Sequence, residues 1–164
     1  MFGHHHPWYL GGLRAMVHAG ATVLSMPIDT SYLSQLVSFK HEIHPDSLEM
    51  EPRPLKLQTL DSINTFSDGN FSMQVYHIGE PSKHTDDYLI YYFPKEKLLF
   101  EDDLSGLDTS KPLRAANERE KGLYDGIKKY QLSPTTIAQS WPVKKPGDVI
   151  FPYSLLEASV KLMK

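Results

Sequence analysis

His84-Thr85-Asp86-Asp87-Tyr88-Leu89-Ile90-Tyr91-Tyr92-Phe93-Pro94-Lys95-Glu96-Lys97-Leu98-Leu99-Phe100-Glu101-Asp102-Asp103-Leu104 is the stretch on which the reading of this chain turns. Residues 88–93 and 98–101 are short, apolar and rich in aromatic residues, as strands are. Pro94-Lys95-Glu96-Lys97 between them has the composition of a tight turn, so the two runs are expected to lie side by side. Asp102 and Asp103 then fall at the C-terminal end of the second strand, and His84 sits in the polar loop before the first. Upstream, residues 55–60, 63–66 and 71–78 alternate with a period near two, and Ser67-Asp68-Gly69-Asn70 reads as a hairpin turn.

Working outward, the N-terminal part changes period. Leu10, Leu13, Met16 and Val17 have helical spacing, with Gly20 as a stop signal. Residues 21–25 read as a buried strand. Asp29 is a candidate N-cap for a second helix whose apolar positions are Tyr32, Leu33, Leu36 and Val37. Residues 41–54, with Pro45, Pro52 and Pro54, are expected to form a loop. Beyond Asp103, residues 117–132 are helical with Leu123, Ile127 and Tyr130 on one face, 137–141 form a short strand, and 152–164 form a closing helix. Helix, strand, helix, then a meander, then helix, strand, helix is an α/β (α+β) pattern.

The composition removes several classes of function. With 164 residues, the chain fits one domain, 1–164, able to bury a core. A net charge of −3 gives no electrostatic case for nucleic acid or an anionic membrane as partner. No apolar run approaches the roughly 20 residues of a membrane span, and no basic-then-apolar leader opens the sequence. The absence of cysteine excludes disulfides, thiolate metal sites and a cysteine nucleophile, and agrees with a cytoplasmic home.

Histidine is the unusual residue: there are eight, and three are His4, His5 and His6. A His-x-His pair places two imidazoles on one side of an extended loop, near enough to share a cation. With His84 and Asp103, both at strand-end loops, the sequence offers an imidazole and carboxylate set suited to zinc or iron. The residues alone leave a second reading open, in which the N-terminal histidines are a frayed end and His84 and Asp103 are solvated. His18, His41, His44 and His77 read as structural, Asp86 and Asp87 as turn residues, and Tyr88, Tyr91 and Tyr92 as sheet residues.

His4-His5-His6-Pro7-Trp8-Tyr9-Leu10-Gly11-Gly12-Leu13 resembles the His-x-His-x-Asp-His motif of the metallo-β-lactamase superfamily, which is followed by a Gly-Gly helix start. The stretch quoted first resembles the same superfamily's segment in which a metal-binding His precedes two strands joined by a proline turn. There the second strand ends in a metal-bridging Asp. The resemblance implies a metallo-β-lactamase-like αββα sandwich lacking part of the N-terminal sheet, because family members carry strands before the His-x-His loop. It implies a first metal site of His4, His6 and His84, with Asp103 beside them as a further ligand and catalytic carboxylate.

Trp8 and Tyr9 stand where the motif has Asp and His, and Trp141-Pro142 where a C-terminal His-Gly normally follows the last strand. The second metal site is therefore degenerate, and one zinc per chain, or one iron, is the most the pattern supports. Trp8, Tyr9 and Trp141 are expected to narrow a substrate pocket and make it more apolar.

Three functions are open: a mononuclear hydrolase of an ester, thioester, lactone or amide; a non-catalytic member that binds a small molecule or a protein partner; and a redox iron protein, because two His and a carboxylate suit non-haem Fe(II). A shortened sheet has an open edge, so a homo-oligomer, a dimer above all, is expected.

Overall fold

A computed structural model describes residues 1–140 and 149–163. The chain divides into two compact units, Met1–Asp61 and Ser62–Lys164.

In the first unit, helix α1 (Pro7–Leu10) begins with proline at its first turn and is capped by His6, whose side chain accepts the backbone N–H of Trp8. Helix α2 (Leu13–His18) follows, and the chain leaves it through Gly20 at a φ of 81°. Strand β1 (Thr22–Ser25) pairs in parallel with β2 (Lys56–Thr59), Thr22 opposite Lys56. A parallel pair needs a long crossover, and residues 26–55 supply it with a 3₁₀ turn (Pro27–Asp29), helix α3 (Thr30–Ser38) and helix α4 (Ser47–Met50).

Two local expectations differ from this. Asp29 makes no side-chain cap, because the 3₁₀ turn ahead of α3 already holds it in helical backbone geometry. The expected loop contains α4, where Asp46 accepts the N–H of Glu49 as a true N-cap. Leu10, Leu13, Val17, Val23, Leu33 and Leu48 form this unit's core, whereas Met16 is 59% exposed despite its helical spacing. Arg14 ties the crossover together: its guanidinium binds the Asp46 carboxylate through Nε (2.5 Å) and Nη2 (2.8 Å), while Nη1 donates to the carbonyls of Val37 and Phe39.

The second unit is built on a six-stranded sheet in the order β3-β4-β5-β6-β7-β8. Strands β3 (Ile63–Ser67) and β4 (Ser72–His77) form the expected hairpin, with the Asp68 N–H donating to Phe71 across the turn. Strands β5 (Leu89–Phe93) and β6 (Leu98–Glu101) are antiparallel neighbours with Tyr91 opposite Phe100. The step from β6 to β7 (Thr136–Gln139) is parallel and contains helix α5 (Glu118–Lys129), which opens with a full Asn117–Glu120 capping box. A three-residue strand, β8 (Ile150–Pro152), precedes helix α6 (Tyr153–Lys161). It is too short to leave a periodic signal in the sequence. Tyr88, Ile90, Leu99, Leu123, Ile127 and Ile137 lie at the centre of the core. Burying each such side chain is worth roughly 1.5–3 kcal/mol.

Among the described residues, no helix is long and apolar enough to cross a membrane.

Candidate metal centre

His84 stands in the loop between β4 and β5, and several constraints shape that loop. Gly79 turns the chain at a φ of 55°, where a β-carbon would lie 2.9 Å from the His77 ring. The His77 ring in turn contacts the Asp86 carbonyl at 2.6 Å, which closes the base of the loop. A 3₁₀ turn (Glu80–Ser82) packs under α5, and the Ser82 hydroxyl accepts the N–H of His84. His84 is therefore carried by a loop that the His77 ring helps to brace.

Asp103 lies just past the end of β6. Its Oδ2 is 3.2 Å from Nε2 of His84, and the two side chains are only 14% and 15% exposed. The Arg119 guanidinium, in the first turn of α5, reaches to 4.0 Å of the same oxygen. Two ligands held about 2.0–2.1 Å from a tetrahedral zinc stand roughly 3.3–3.4 Å apart, so the separation of this nitrogen and oxygen fits donors on one cation. The structure thus brings together two residues that are 19 positions apart in sequence.

Behind the pair lies a polar group that the sequence reading treated as plain sheet. The Tyr88 phenol oxygen accepts the backbone N–H groups of Asp102 (3.0 Å) and Asp103 (2.9 Å), and lies 3.3 Å from Asp103 Oδ1 and 3.2 Å from Glu101 Oε2. Glu101 is fully buried, and burial pushes its carboxyl up to about 8 against the pull of the Leu104 and Ser105 N–H groups that it accepts. Burial also drives the Tyr88 phenol far above its ordinary range, so it stays protonated. The sequence signal for this network was the acidic run Glu101-Asp102-Asp103. A buried acid requires a nearby donor.

The histidines of the first unit are equally ordered. The His4 and His6 ring centres are 5.8 Å apart, and Tyr9 packs against both, at 5.1 and 5.5 Å. His4 is buried to 1% exposure. His6 uses Nδ1 to cap α1. These histidines are therefore part of the packed structure and not a frayed end. Trp8 is 76% exposed, so Tyr9 is the aromatic replacement that lies against the histidines. Trp141, with Pro142, Lys144 and Lys145, lies outside the described residues.

No protein-family model matches the chain, and no curated protein matches it. Solved structures do. A metallo-β-lactamase from Pontibacter korlensis superposes on 98% of this chain with a TM-score of 0.60 at 21% identity. The chain has the metallo-β-lactamase fold.

Rubredoxin:oxygen oxidoreductase from Desulfovibrio gigas matches 97% of the chain with a TM-score of 0.62 at 16% identity. The flavodiiron core of Flv1 from Synechocystis sp. PCC6803 matches 98% with a TM-score of 0.58 at 13% identity. This chain spans 66%, 42% and 40% of the length of those three proteins, in the order given. At such identities the likeness establishes a mixed α/β chain of metallo-β-lactamase fold and leaves the chemistry to its own residues.

Proposed function

We propose that this chain is a metal-dependent, hydrolase-like protein that holds at most one divalent cation, zinc in the first instance. His84 and Asp103 are two of its ligands. The observation that carries the reading is the 3.2 Å approach of His84 Nε2 to Asp103 Oδ2 on two strand-end loops of a metallo-β-lactamase fold. Imidazole nitrogen and carboxylate oxygen are a suitable donor set for zinc and also for iron.

A cation bound there would lower the pKa of its water and polarise a carbonyl. The chain's own residues have separate tasks. Asp103 supplies the carboxylate oxygen of the donor pair, and His84 supplies the imidazole nitrogen. Arg119, 4.0 Å from Asp103, adds positive charge beside the carboxylate and is placed to attract an anionic substrate group. The substrate class is an ester, thioester, lactone or amide.

Tyr9 supports a second reading. It occupies the place of a motif histidine and packs on His4 and His6, which favours a non-catalytic member that binds a small molecule or a protein partner. A homodimer belongs to both readings, because β1 and β2 form only a two-stranded sheet.

Elemental analysis of protein purified without a nickel column separates the two. About one zinc or iron per chain supports the first. No metal after incubation with zinc favours the second and directs the search to ligands and partners.

A further inference from the structure

We infer that Tyr88 is a positioning residue for Asp103: its buried phenol oxygen gathers the Asp102 and Asp103 backbone N–H groups and faces Oδ1 of the Asp103 carboxylate, leaving Oδ2 turned to His84. The inference rests on the reading of His84 and Asp103 as metal ligands, and adds to it the residue that sets their geometry.

The argument begins with where β6 ends. The ladder of β6 ends at Glu101, just before the N–H groups of Asp102 and Asp103. Buried backbone donors must still be satisfied. Both converge on one oxygen, at 3.0 and 2.9 Å, and that oxygen belongs to a residue with no exposed surface. A chain end held by two hydrogen bonds to a rigid ring has little freedom to swing.

The carboxylate is divided in the same way. Oδ1 lies 3.3 Å from the phenol and Oδ2 lies 3.2 Å from His84, so the two edges of Asp103 have different neighbours. The phenol donates its single proton to one acceptor at a time, Asp103 Oδ1 or Glu101 Oε2 at 3.2 Å. Glu101 itself is held by the N–H of Leu104 at 2.6 Å and that of Ser105 at 3.3 Å, so the network reaches the following loop. The Tyr88 ring also lies 5.9 Å from the His84 ring, which puts one side chain against both proposed ligands. Groups that orient a metal ligand in this manner typically change affinity 10–100-fold when removed.

Tyr88→Phe removes the oxygen and keeps the ring. The test compares it with the unaltered protein by cobalt(II) titration, by the visible spectrum of the cobalt form, and by crystal structures without metal. Tyr92→Phe, a hydroxyl deletion in β5, is the control. The expected result is cobalt binding at least 10-fold weaker in Tyr88→Phe, an altered spectrum, and an Asp103 carboxylate swung away from His84, with Tyr92→Phe unchanged.

Equal affinity, an identical spectrum and an unmoved Asp103 overturn the inference while leaving the metal-site reading intact. If the unaltered protein binds no cobalt, the metal-site reading falls, and the metal-free structures alone decide the inference: a displaced Asp103 supports it and an unmoved one overturns it. Should Tyr88→Phe fail to fold, NMR of the unaltered protein decides. A slowly exchanging Tyr88 hydroxyl with contacts to the Asp102 and Asp103 amides is expected, and a rapidly exchanging one overturns the inference.

Discussion

Gly122, on α5, is pressed against the backbone carbonyl of Pro81 more closely than any side chain would allow. The contact joins the helix that fills the β6–β7 crossover to the turn that precedes His84. One turn further along the helix, a β-carbon on Gly126 would come within 2.7 Å of Ile78. Two glycines spaced by four thus give α5 a flat face, on which the β4–β5 loop sits.

Gly122→Ala should disturb that face. The new methyl has to displace backbone, which costs roughly 1–3 kcal/mol, and the better helix propensity of alanine returns up to about 1 kcal/mol. A net loss of about 1–2 kcal/mol is expected in urea unfolding, with weaker metal retention because the His84 loop shifts. An unchanged midpoint together with unchanged metal content would show that the loop adapts without effect on the pair.

His84→Ala tests the site itself. The side chain is only 15% exposed but belongs to a polar loop, so stability should change by no more than about 1 kcal/mol. Metal content should fall from about one per chain to near zero. Retention of the full metal complement, measured by elemental analysis, would remove His84 from the ligand set.

Arg114→Ala probes the buried end of α5. Glu120 has no exposed surface and takes two guanidinium nitrogens of Arg114, at 2.6 and 2.8 Å, besides the N–H groups of Asn117 and Gly106. Without Arg114 the carboxylate keeps only the backbone donors in a dry site. Loss of roughly 2–3 kcal/mol is expected, read as a lower denaturant midpoint. The same substitution in a Glu120→Gln background should cost much less, and equal costs would show that charge is not the reason.

Acid should weaken the first unit through Asp46. The Arg14 guanidinium beside it holds its carboxyl well below the usual carboxylate range. A group whose folded value is depressed stabilises the fold above its unfolded value, and that contribution disappears as pH falls through the folded one. Asp46→Asn keeps an N-cap oxygen for α4 and removes the charge. The midpoint gap between the two proteins should be widest above about pH 5 and close towards pH 2. A gap of constant size over that range would assign the loss to the cap and not to the ion pair.

Much of the fold was legible because its signals are local. The proline turn at residues 94–97, the Asp-Gly hairpin at 68–69 and the helical face of Leu123 and Ile127 are each set within a short stretch, and the structure has each of them. The four-residue α4 and three-residue β8 escaped because neither is long enough to show a period. His84 and Asp103 were legible as residues of the right kind at loop positions. Tyr88 was read as an ordinary sheet residue and Glu101 as the end of a strand, although the acidic run from Glu101 to Asp103 hinted at a buried network. Their roles come from the contact between the residue that precedes β5 and the last residue of β6.

By itself the sequence determined the order of the longer helices and strands, the tight turns at 67–70 and 94–97, and the residue types available for a metal. Those depend on backbone preference and on hydrophobic period, which short stretches of chain carry alone. Only the tertiary structure decided that Nε2 of His84 meets Oδ2 of Asp103 at 3.2 Å, and that one phenol oxygen holds the end of β6. Such contacts are made between segments that touch only once the sheet has formed and α5 has closed on the loop, and no local preference specifies them.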